Sequence, residues 1–232
     1  MIASHGGKSS AVVLLSGGTD SCVCAALAAR DHETSALHIS YGQRTETRER
    51  ESFLAVCDRL NIGNRLMVRN EALKLIGGSA LTDANIGVPE SHAIGRDIPV
   101  TYVPFRNAHF LSVAVSWAEV LDATKIYIGA VEQDSSGYPD CRPDFIAAFQ
   151  QVILRGTKSG IERGTPALRT PLIDVTKGDI IRRGVDLGVD YGLTHSCYDP
   201  TPDGRACGHC DSCILRRRGF EEAGVDDPTV YA

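Results

Sequence analysis

A short turn near the amino end of the chain carries the residue types that bind phosphate. The apolar, β-branched run 11–15 ends in the sequence S-G-G-T-D-S at residues 16–21, where a helical pattern begins. Backbone N–H groups at such a strand-to-helix turn converge on one spot, and the positive end of the helix dipole adds its field there. The two glycines let the backbone approach an anion without a Cβ in the way, and the Asp20 carboxylate can hold Mg²⁺. The turn therefore predicts a phosphate or pyrophosphate site.

Three other motifs of this kind are absent from the sequence. Without G-x-x-x-x-G-K-S/T there is no P-loop for γ-phosphate transfer. Without G-x-G-x-x-G there is no dinucleotide fingerprint, and without G-x-S-x-G there is no nucleophile elbow. The S-G-G-x-D-S pattern instead resembles the pyrophosphate loop of N-type ATP pyrophosphatases, which cleave ATP to AMP and pyrophosphate while activating a substrate as an adenylate. An ordinary glycine turn between a strand and a helix is the alternative.

Four cysteines near the carboxyl end form the array C-x9-C-x2-C-x2-C, made by Cys197, Cys207, Cys210 and Cys213. Paired C-x2-C turns bring thiolates together, and four sulfurs suit the tetrahedral cage of a structural zinc ion. Such an ion supplies folding free energy of order 10 kcal/mol, which suits a segment with almost no apolar residues. An iron–sulfur cluster and redox or sulfur-carrying chemistry at a cysteine pair are alternatives. Since four sulfurs complete the tetrahedron, we expect His195 and His209 to be bystanders.

The remaining cysteines do not extend this array. Cys22, Cys24 and Cys57 fall on predicted helices, where we expect them to be small core residues. Cys141 falls in a polar loop, and we expect this lone thiol to be inert.

Composition and net charge limit the classes of protein to which the chain can belong. The chain has 232 residues, of which 43% are hydrophobic, and this suits one compact domain. Its formal net charge of −5 argues against a nucleic acid as the main partner. No apolar run approaches the length of a membrane span, and the polar leader lacks a signal-peptide core, so we expect no membrane partner. Eight cysteines without a secretion signal indicate reduced thiols or a metal, and we expect a cytoplasmic protein.

Strand and helix patterns alternate along the chain and must position these groups. Apolar runs predict strands at residues 11–15, 35–40, 65–68, 100–103 and 125–130. Helical patterns lie at residues 20–30, 45–60, 108–121, 143–154 and 176–187. Asp20 and Ser21 are expected to cap the first helix, and Thr176 with Asp179 the last. The expected fold is α/β, with a doubly wound, mostly parallel sheet.

In such sheets, ligands bind beyond the carboxyl ends of the strands. The loops that begin at Ser16, Tyr41, Pro104 and Glu132 each follow a predicted strand, so we expect them to converge on one crevice. The long, weakly patterned stretch 70–97 is a candidate lid over that crevice. We expect residues 1–10 to be a disordered leader and residues 11–232 to form a single domain, which includes a zinc-binding segment at 195–219.

Several short motifs follow one another along the chain. After the S-G-G-T-D-S turn come Y-G-Q-R at 41–44, G-G-S-A-L-T-D at 77–83, P-V-T-Y-V-P at 99–104 and S-G-Y-P-D-C-R-P-D-F at 136–145, and then the four-cysteine tail. The set resembles the bacterial 7-cyano-7-deazaguanine synthase family of the queuosine pathway, over residues 11–224. The resemblance implies an ATP-dependent ligase with an adenine nucleotide alpha hydrolase-like fold, which converts 7-carboxy-7-deazaguanine and ammonia to the nitrile preQ0 through an adenylated intermediate. It also implies a homodimer with one structural zinc ion (Zn²⁺) per chain.

The resemblance and the residue chemistry together suggest roles for individual residues. Asp20, Arg106 and Lys177 are predicted to be catalytic, with Asp20 aiding Mg²⁺ and the two cations neutralising charge at the α-phosphate of ATP. ATP is expected to contact the residues around the phosphate turn, namely Leu15, Ser16, Gly17, Gly18, Thr19, Asp20, Ser21, Cys22, Val23, Cys24 and Ala25. The second substrate is expected to contact residues of the later loops, namely Gln43, Arg44, Asn107, Tyr138, Asp140 and Arg142.

Two positions depart from the family pattern. Phe105 stands where a small residue is usual, and His195 stands where tryptophan is common. Neither belongs to the phosphate turn or to the cysteine array, so both bear on substrate fit rather than on the reaction class.

Two other functions are alternatives. A tRNA thiolase of the same pyrophosphatase class would need a sulfur-accepting cysteine pair and a basic surface, but the net charge is negative. A non-enzymatic zinc-binding adaptor for nucleotides would be supported by the basic run 216–218, although three adjacent charges usually form a solvated helix face. AMP release that depends on the deazapurine acid would separate the ligase from both.

Overall fold

Five parallel strands form one sheet within the part of the chain that the structure describes, which comprises residues 8–89, 98–132 and 137–232. In this computed structural model the strands are β1 (Ser10–Leu14), β2 (Glu33–Ser40), β3 (Arg65–Arg69), β4 (Lys125–Tyr127) and β5 (Ala167–Arg169). Their order across the sheet is β3-β2-β1-β4-β5, and every neighbouring pair is parallel. The sheet therefore extends in both directions from its first strand.

Helices connect the strands and cover both faces of the sheet. Within the described ranges they are α1 (Thr19–Asp31), α2 (Glu46–Arg59), α3 (Glu71–Ile76), α4 (Arg106–Val120), α5 (Pro143–Gly156), α6 (Lys158–Arg163), α7 (Lys177–Asp186) and α8 (Asp211–Ala223). Short 3-10 turns lie at Pro139–Cys141 and Tyr191–Leu193. None of these helices combines the length and the apolar character that crossing a bilayer requires. The predicted α/β fold with a doubly wound parallel sheet is confirmed.

Side chains of β1 alternate between two apolar layers, as expected for a strand buried on both faces. Ala11 and Val13 pack in a cluster built by α1, α2, α7 and α8. Val12 and Leu14 pack in a second cluster, built by α4 and α5. Each fully buried valine of this strand contributes about 1.5–3 kcal/mol. Strand β1 is thus held from both faces, and it leads directly into the predicted phosphate turn.

The cysteines predicted to lie in the core do so. Cys22, Cys24 and Cys57 are buried in the cluster that α1 and α2 form against the sheet. Burial raises the pKa of the Cys22 thiol to about 12 and that of the Cys57 thiol to about 11. Both thiols are therefore protonated near neutral pH and act as small apolar residues.

The strand prediction differs from the structure in two places. One predicted segment forms no strand, and strand β5 was not predicted. Residues 100–103, predicted as a strand, form a turn in which the Tyr102 N–H donates to the Pro99 carbonyl (2.9 Å). Proline on either side of these residues removes donors that a sheet needs. Strand β5 gives no sequence signal, because three residues are too few to show alternation.

Of the two predicted helix caps, one is confirmed and one is wrong. Thr176 Oγ1 accepts a hydrogen bond from the Asp179 N–H (3.2 Å), so the predicted cap of α7 is confirmed. At α1 the N-cap is Gly18, and no side chain caps the helix there. The expectation that Asp20 and Ser21 cap α1 is therefore wrong, because both residues already lie inside the helix.

Two predicted irregular segments are partly ordered. Ser10 begins β1 and the Ser9 carbonyl accepts a hydrogen bond from the Glu33 N–H (3.1 Å), whereas residues 1–7 of the predicted leader lie outside the described residues. In the stretch 70–97, Arg44 Nε donates to the Ala80 carbonyl (2.8 Å). Residues 90–97 lie outside the described residues, and a lid remains a hypothesis.

His38, in β2, lies beside the end of β1. Its ring is buried, Nδ1 donates to the Leu15 carbonyl (3.2 Å), and Ser40 Oγ lies 3.4 Å from Nε2. Burial lowers the pKa of His38 below its ordinary value of 6.5. The neutral ring is therefore part of the support under the phosphate turn.

We expect the free energy of unfolding to fall as the pH drops below about 6.5. The unfolded chain protonates His38 at its ordinary pKa, whereas the folded ring resists protonation, so acid favours the unfolded state. Urea titrations between about pH 7 and pH 5 measure the effect. His38→Gln should reduce this pH dependence, and the exposed His209→Gln should not. An undiminished pH dependence in His38→Gln would show that other groups cause it.

Candidate active site and metal centre

A crevice opens at the carboxyl end of the sheet, where the loops after β1, β2 and β4 meet. Its apolar floor includes Leu14, Ile39 and Ile128, which lie at or just beyond the ends of these strands. The start of α4 joins the loops, although residues 100–103 before it form no strand. This is the edge at which parallel sheets bind ligands.

The turn between β1 and α1 is held by its own hydroxyl groups. Ser16 Oγ accepts a hydrogen bond from the Gly18 N–H (3.3 Å) and lies 3.0 Å from Ser21 Oγ, which donates to the Gly18 carbonyl (2.9 Å). Gly17 has a φ of +92°, and a Cβ there would lie 2.6 Å from Ser52 Cβ of α2. Glycine is therefore required at position 17 by its positive φ and by the close packing on α2.

An ion pair links the first turn of α1 to the first turn of α7. Lys177 Nζ lies 2.7 Å and 2.8 Å from the two carboxylate oxygens of Asp20, and the Lys177 side chain is only 11% exposed. The stem of Lys177 passes α8 at Gly219, where a Cβ would overlap Lys177 Cγ. The pair places an ammonium group and a carboxylate in the crevice wall beside the turn.

Arg106, the first residue of α4, lies in an aromatic cage. Its guanidinium carbon is 5.7 Å from the ring centre of Tyr41 and 5.9 Å from those of Phe110 and Tyr138. Nη1 donates to Tyr41 Oη (3.2 Å), whereas the buried Nε has no hydrogen-bond partner among the described residues. Burial lowers the pKa of Arg106, but Tyr41, Tyr138, Cys141 and Asp140 together raise it by more, so the group stays charged. A charged guanidinium with an unused buried donor favours an anion.

Asp140 supports the start of α4. Its Oδ2 accepts a hydrogen bond from the Asn107 backbone N–H (2.9 Å), and its carbonyl accepts one from Asn107 Nδ2 (3.0 Å). The helix dipole favours a carboxylate at this position. Asn107 Nδ2 also lies 3.3 Å from Cys141 Sγ, and this buried thiol lines the crevice. Asp140 therefore fixes the helix that presents Arg106.

Most residues predicted to bind ligands line the crevice, namely Leu15, Ser16, Gly18, Thr19, Asp20, Ser21, Gln43, Arg44, Arg106, Asn107, Tyr138 and Lys177. Seven others do not line it. Gly17 packs against α2, and Asp140 lies behind the start of α4. Arg142 is exposed at the N-cap of α5. The remaining four lie in the core beneath the turn, namely Cys22, Val23, Cys24 and Ala25. Contacts with ligands remain predictions for the whole set.

The carboxyl-terminal segment supplies a wall of the crevice that no sequence pattern indicates. This wall consists of His195, Ser196, Cys197, Tyr198, Asp211, Ser212, Leu215 and Arg216. The expectation of a solvated helix face at residues 216–218 is wrong for Arg216, which is 3% exposed, although its two neighbours are exposed. The sequence places the loop that begins at Tyr41 at the crevice but gives Tyr41 no role in a cage, and it gives no signal for Phe110. Their burial depends on partners distant in the chain.

The two positions that depart from the family pattern lie in different surroundings. Phe105 is 58% exposed, has a φ of +58°, and packs edge-on against Phe145 with ring centres 6.2 Å apart. His195 lines the crevice, and its Nε2 donates to the Cys197 carbonyl (2.9 Å). Burial lowers the pKa of His195, so the ring is neutral near pH 7. Only His195 therefore faces the site.

The cysteine array forms one compact cluster, made by Cys197, Cys207, Cys210 and Cys213. All four Sγ atoms lie within 4.8 Å of one another, and those of Cys207 and Cys213 are 3.9 Å apart. Four thiolates around one zinc ion at about 2.3 Å would lie about 3.8 Å apart. Two backbone N–H groups, of Asp199 and Cys207, donate to Cys197 Sγ (3.4 Å and 3.2 Å). The cluster therefore fits a metal ion with four sulfur ligands.

The thiols of Cys197, Cys210 and Cys213 do not ionise independently. Hydrogen bonds from the thiols of Cys197 and Cys213 lower the pKa of Cys210, and contacts with Cys197 and Cys210 raise that of Cys213. A divalent cation is what allows all four sulfurs to become thiolates together.

The fold and the site define a class of protein. A turn of the kind that binds phosphate lies at the carboxyl edge of a doubly wound parallel sheet, and a four-cysteine cluster that could hold a metal ion lies beside the crevice, which Cys197 lines. The chain is therefore an α/β protein with a nucleotide-binding fold and a candidate metal site.

Comparisons with known proteins identify the family. The family model described as "Queuosine biosynthesis protein QueC" matches residues 10–224, and the chain belongs to this family. The chain is 58% identical over 226 residues to a 7-cyano-7-deazaguanine synthase of Acidobacterium capsulatum, covering 96% of each chain. It is 57% identical over 233 residues to that of Koribacter versatilis, covering 98% of this chain and 95% of the other. The predicted family is thereby confirmed, and with it an enzyme of queuosine biosynthesis.

A solved structure is also similar at low sequence identity. It is the U34-tRNA thiolase NcsA from Methanococcus maripaludis with its 4Fe-4S cluster, at 14% identity and a TM-score of 0.49. The similarity covers 93% of this chain and 65% of that one.

Cys210→Ala is expected to abolish metal binding and to lower the melting temperature, because the cluster anchors the start of α8. Metal analysis of the purified protein and a thermal melt measure the two effects. Cys24→Ala, which changes a buried cysteine outside the cluster, should keep the full metal content. A full complement of metal in Cys210→Ala would contradict the four-sulfur site.

Proposed function

We propose that this chain is a 7-cyano-7-deazaguanine synthase, an ATP-dependent ligase that converts 7-carboxy-7-deazaguanine and ammonia to preQ0. The observation that carries the proposal is that the phosphate turn, the Asp20–Lys177 pair and Arg106 line one crevice. Together they offer an anion-binding turn and two cations, which suit a triphosphate and a carboxylate. Membership of the family supports the same reaction.

The turn after β1 supports binding of the ATP phosphates. It lies at the amino end of α1, a helix of 13 residues whose dipole favours negative charge there. Ile39 and Ile128 in the crevice floor offer an apolar surface to the adenine. Asp20 would hold Mg²⁺, which shields phosphate charge and is usually bound by one or two carboxylates together with phosphate oxygens. Lys177 lies within reach of the same phosphates because it already contacts Asp20.

The cage around Arg106 supports binding of the deazapurine acid. The rings of Tyr41, Phe110 and Tyr138 offer flat surfaces to a purine-like base. The unused Nε of Arg106 offers a donor to the carboxylate of the substrate. Thr101 Oγ1 and Tyr138 Oη, 2.8 Å apart, add polar groups that can hydrogen-bond to the edge of the base.

The chemistry starts from a carboxylate, which resists attack by ammonia because two oxygens share its charge. Transfer of AMP from ATP to a carboxylate oxygen releases pyrophosphate and makes a mixed anhydride. Ammonia then displaces AMP and gives the amide. A second adenylation, at the amide oxygen, allows loss of AMP and a proton to give the nitrile. Lys177 and Arg106 stabilise charge at the α-phosphate, so orientation and electrostatics supply most of the rate.

Zinc is the metal that the cysteine cluster suits best. The 3.9 Å between the sulfurs of Cys207 and Cys213 is close to the value of about 3.8 Å around one zinc ion. In an iron–sulfur cluster the cysteines bind different iron atoms, which spreads their sulfurs further apart. We assign the zinc ion a structural role at the start of α8. The homodimer, the source of ammonia and the cytoplasmic location stay predictions.

The reaction is tested with ATP, Mg²⁺, ammonium and 7-carboxy-7-deazaguanine, with AMP and the nitrile measured by mass spectrometry. Asp20→Asn should lower AMP release by about 100-fold, because it removes the charge that pairs with Lys177 and holds the cation. Asp31→Asn, at the other end of α1, should keep the wild-type rate. Cleavage of ATP to ADP, or a normal rate in Asp20→Asn, would refute the proposal.

Arg106→Gln should lower kcat/KM for the deazapurine acid by about 100-fold, because a partly buried charge that would face the substrate carboxylate is lost. The structure places Arg142 outside the crevice, so Arg142→Gln should change this constant little. Steady-state kinetics with the acid as the varied substrate compare the two variants. Equal losses in both would show that the acid does not bind at the Arg106 cage.

A further inference from the structure

The helix that carries two cysteines of the cluster also carries a buried arginine. Helix α8 starts at the cluster, with Cys210 as its N-cap and Cys213 in its first turn. Arg216 lies about one turn further along and is 3% exposed, whereas Arg217 and Arg218 are exposed. Burial of a guanidinium is costly without specific partners.

Arg216 has such partners, and one belongs to the phosphate turn. Nη1 donates to Thr19 Oγ1 (3.2 Å) and to Thr194 Oγ1 (2.8 Å). Nη2 donates to the Tyr191 carbonyl (3.1 Å), and Nε lies 3.0 Å from Asp227 Oδ1. The guanidinium therefore holds α8, the segment before the cluster and the first residue of α1 in one arrangement.

A second connection joins the cluster to the same turn. The His195 N–H donates to the Gly17 carbonyl (3.0 Å), and Ser196 Oγ lies 3.0 Å from Thr19 Oγ1. The next residue along the chain is Cys197, the first sulfur ligand of the cluster. The turn is thus bonded both to the chain segment that supplies the first cysteine and to the helix that starts at the third.

We infer that Arg216 is a positioning residue for ATP, which couples occupancy of the cysteine cluster to the affinity of the phosphate turn. The sulfurs need not touch the nucleotide. A metal ion fixes the start of α8, α8 fixes Arg216, and Arg216 fixes Thr19. The inference rests on the proposed ATP site, and it gives the metal centre a role in substrate binding besides its role in folding.

Direct ATP binding in the absence of the deazapurine acid tests this role apart from catalysis. Arg216→Met keeps an apolar stem but removes the guanidinium, and it should weaken ATP binding about tenfold while metal content is retained. Arg216→Lys keeps the charge beside Asp227 but cannot donate to Thr19 and Tyr191 together, and it should also weaken binding. Arg218→Met, on the exposed side of α8, is the matched control and should bind ATP like the wild type.

Metal removal supplies the second arm of the experiment. Chelation of the wild-type protein should weaken ATP binding, and it should weaken binding to Arg216→Met by a smaller factor, because that variant has already lost one of the two connections between the cluster and the turn. Additive losses would overturn the coupling. If Arg216→Met or the metal-free protein does not fold, the test rests on Arg216→Lys. An Arg216→Lys protein that binds ATP within about twofold of the wild-type affinity would overturn the inference. Failure of the wild type to bind ATP would instead refute the proposed function.

Discussion

The turn between β1 and α1 is the feature on which the site depends, and neighbouring elements hold it from several sides. α2 packs so closely that only glycine fits at position 17. The His195 N–H bonds to the Gly17 carbonyl, and Arg216 bonds to Thr19. The backbone donors are therefore arranged before a ligand arrives, which lowers the entropic cost of binding and aids electrostatic stabilisation.

Two cations near the crevice are paired with carboxylates, whereas a third has a donor without a partner among the described residues. Lys177 pairs with Asp20 and Arg216 pairs with Asp227, whereas Arg106 Nε lacks a partner among the described residues. An unsatisfied buried donor is expensive, and it is expected where a ligand supplies the acceptor. The cysteine cluster favours a ligand of the opposite charge, because four sulfurs that lie close together favour a cation. A carboxylate or phosphate would supply the acceptor for Arg106 Nε, and a metal ion would balance the charge of the four sulfurs.

Features encoded in neighbouring residues were accessible to sequence analysis. The strand-to-helix turn, the C-x2-C pairs and the Thr176 cap each depend on a spacing of a few residues, and the structure contains all three. Residues 100–103 were predicted wrongly, because their short apolar run favours a strand while the flanking prolines impose a turn. The helical residues 22–25 follow the phosphate turn in sequence, yet the helix directs them into the core.

By itself, the sequence determined the α/β class, the family, the phosphate turn and the cysteine array, since each is marked by residue types at short, fixed spacings. Only the tertiary structure decided that Arg216, 197 positions from Thr19, supports the turn. It also decided that Asp140 holds the start of α4 and that Gly17 faces α2. These contacts join surfaces that meet only when the sheet and its helices pack, and local spacing carries no information about which distant surfaces will meet.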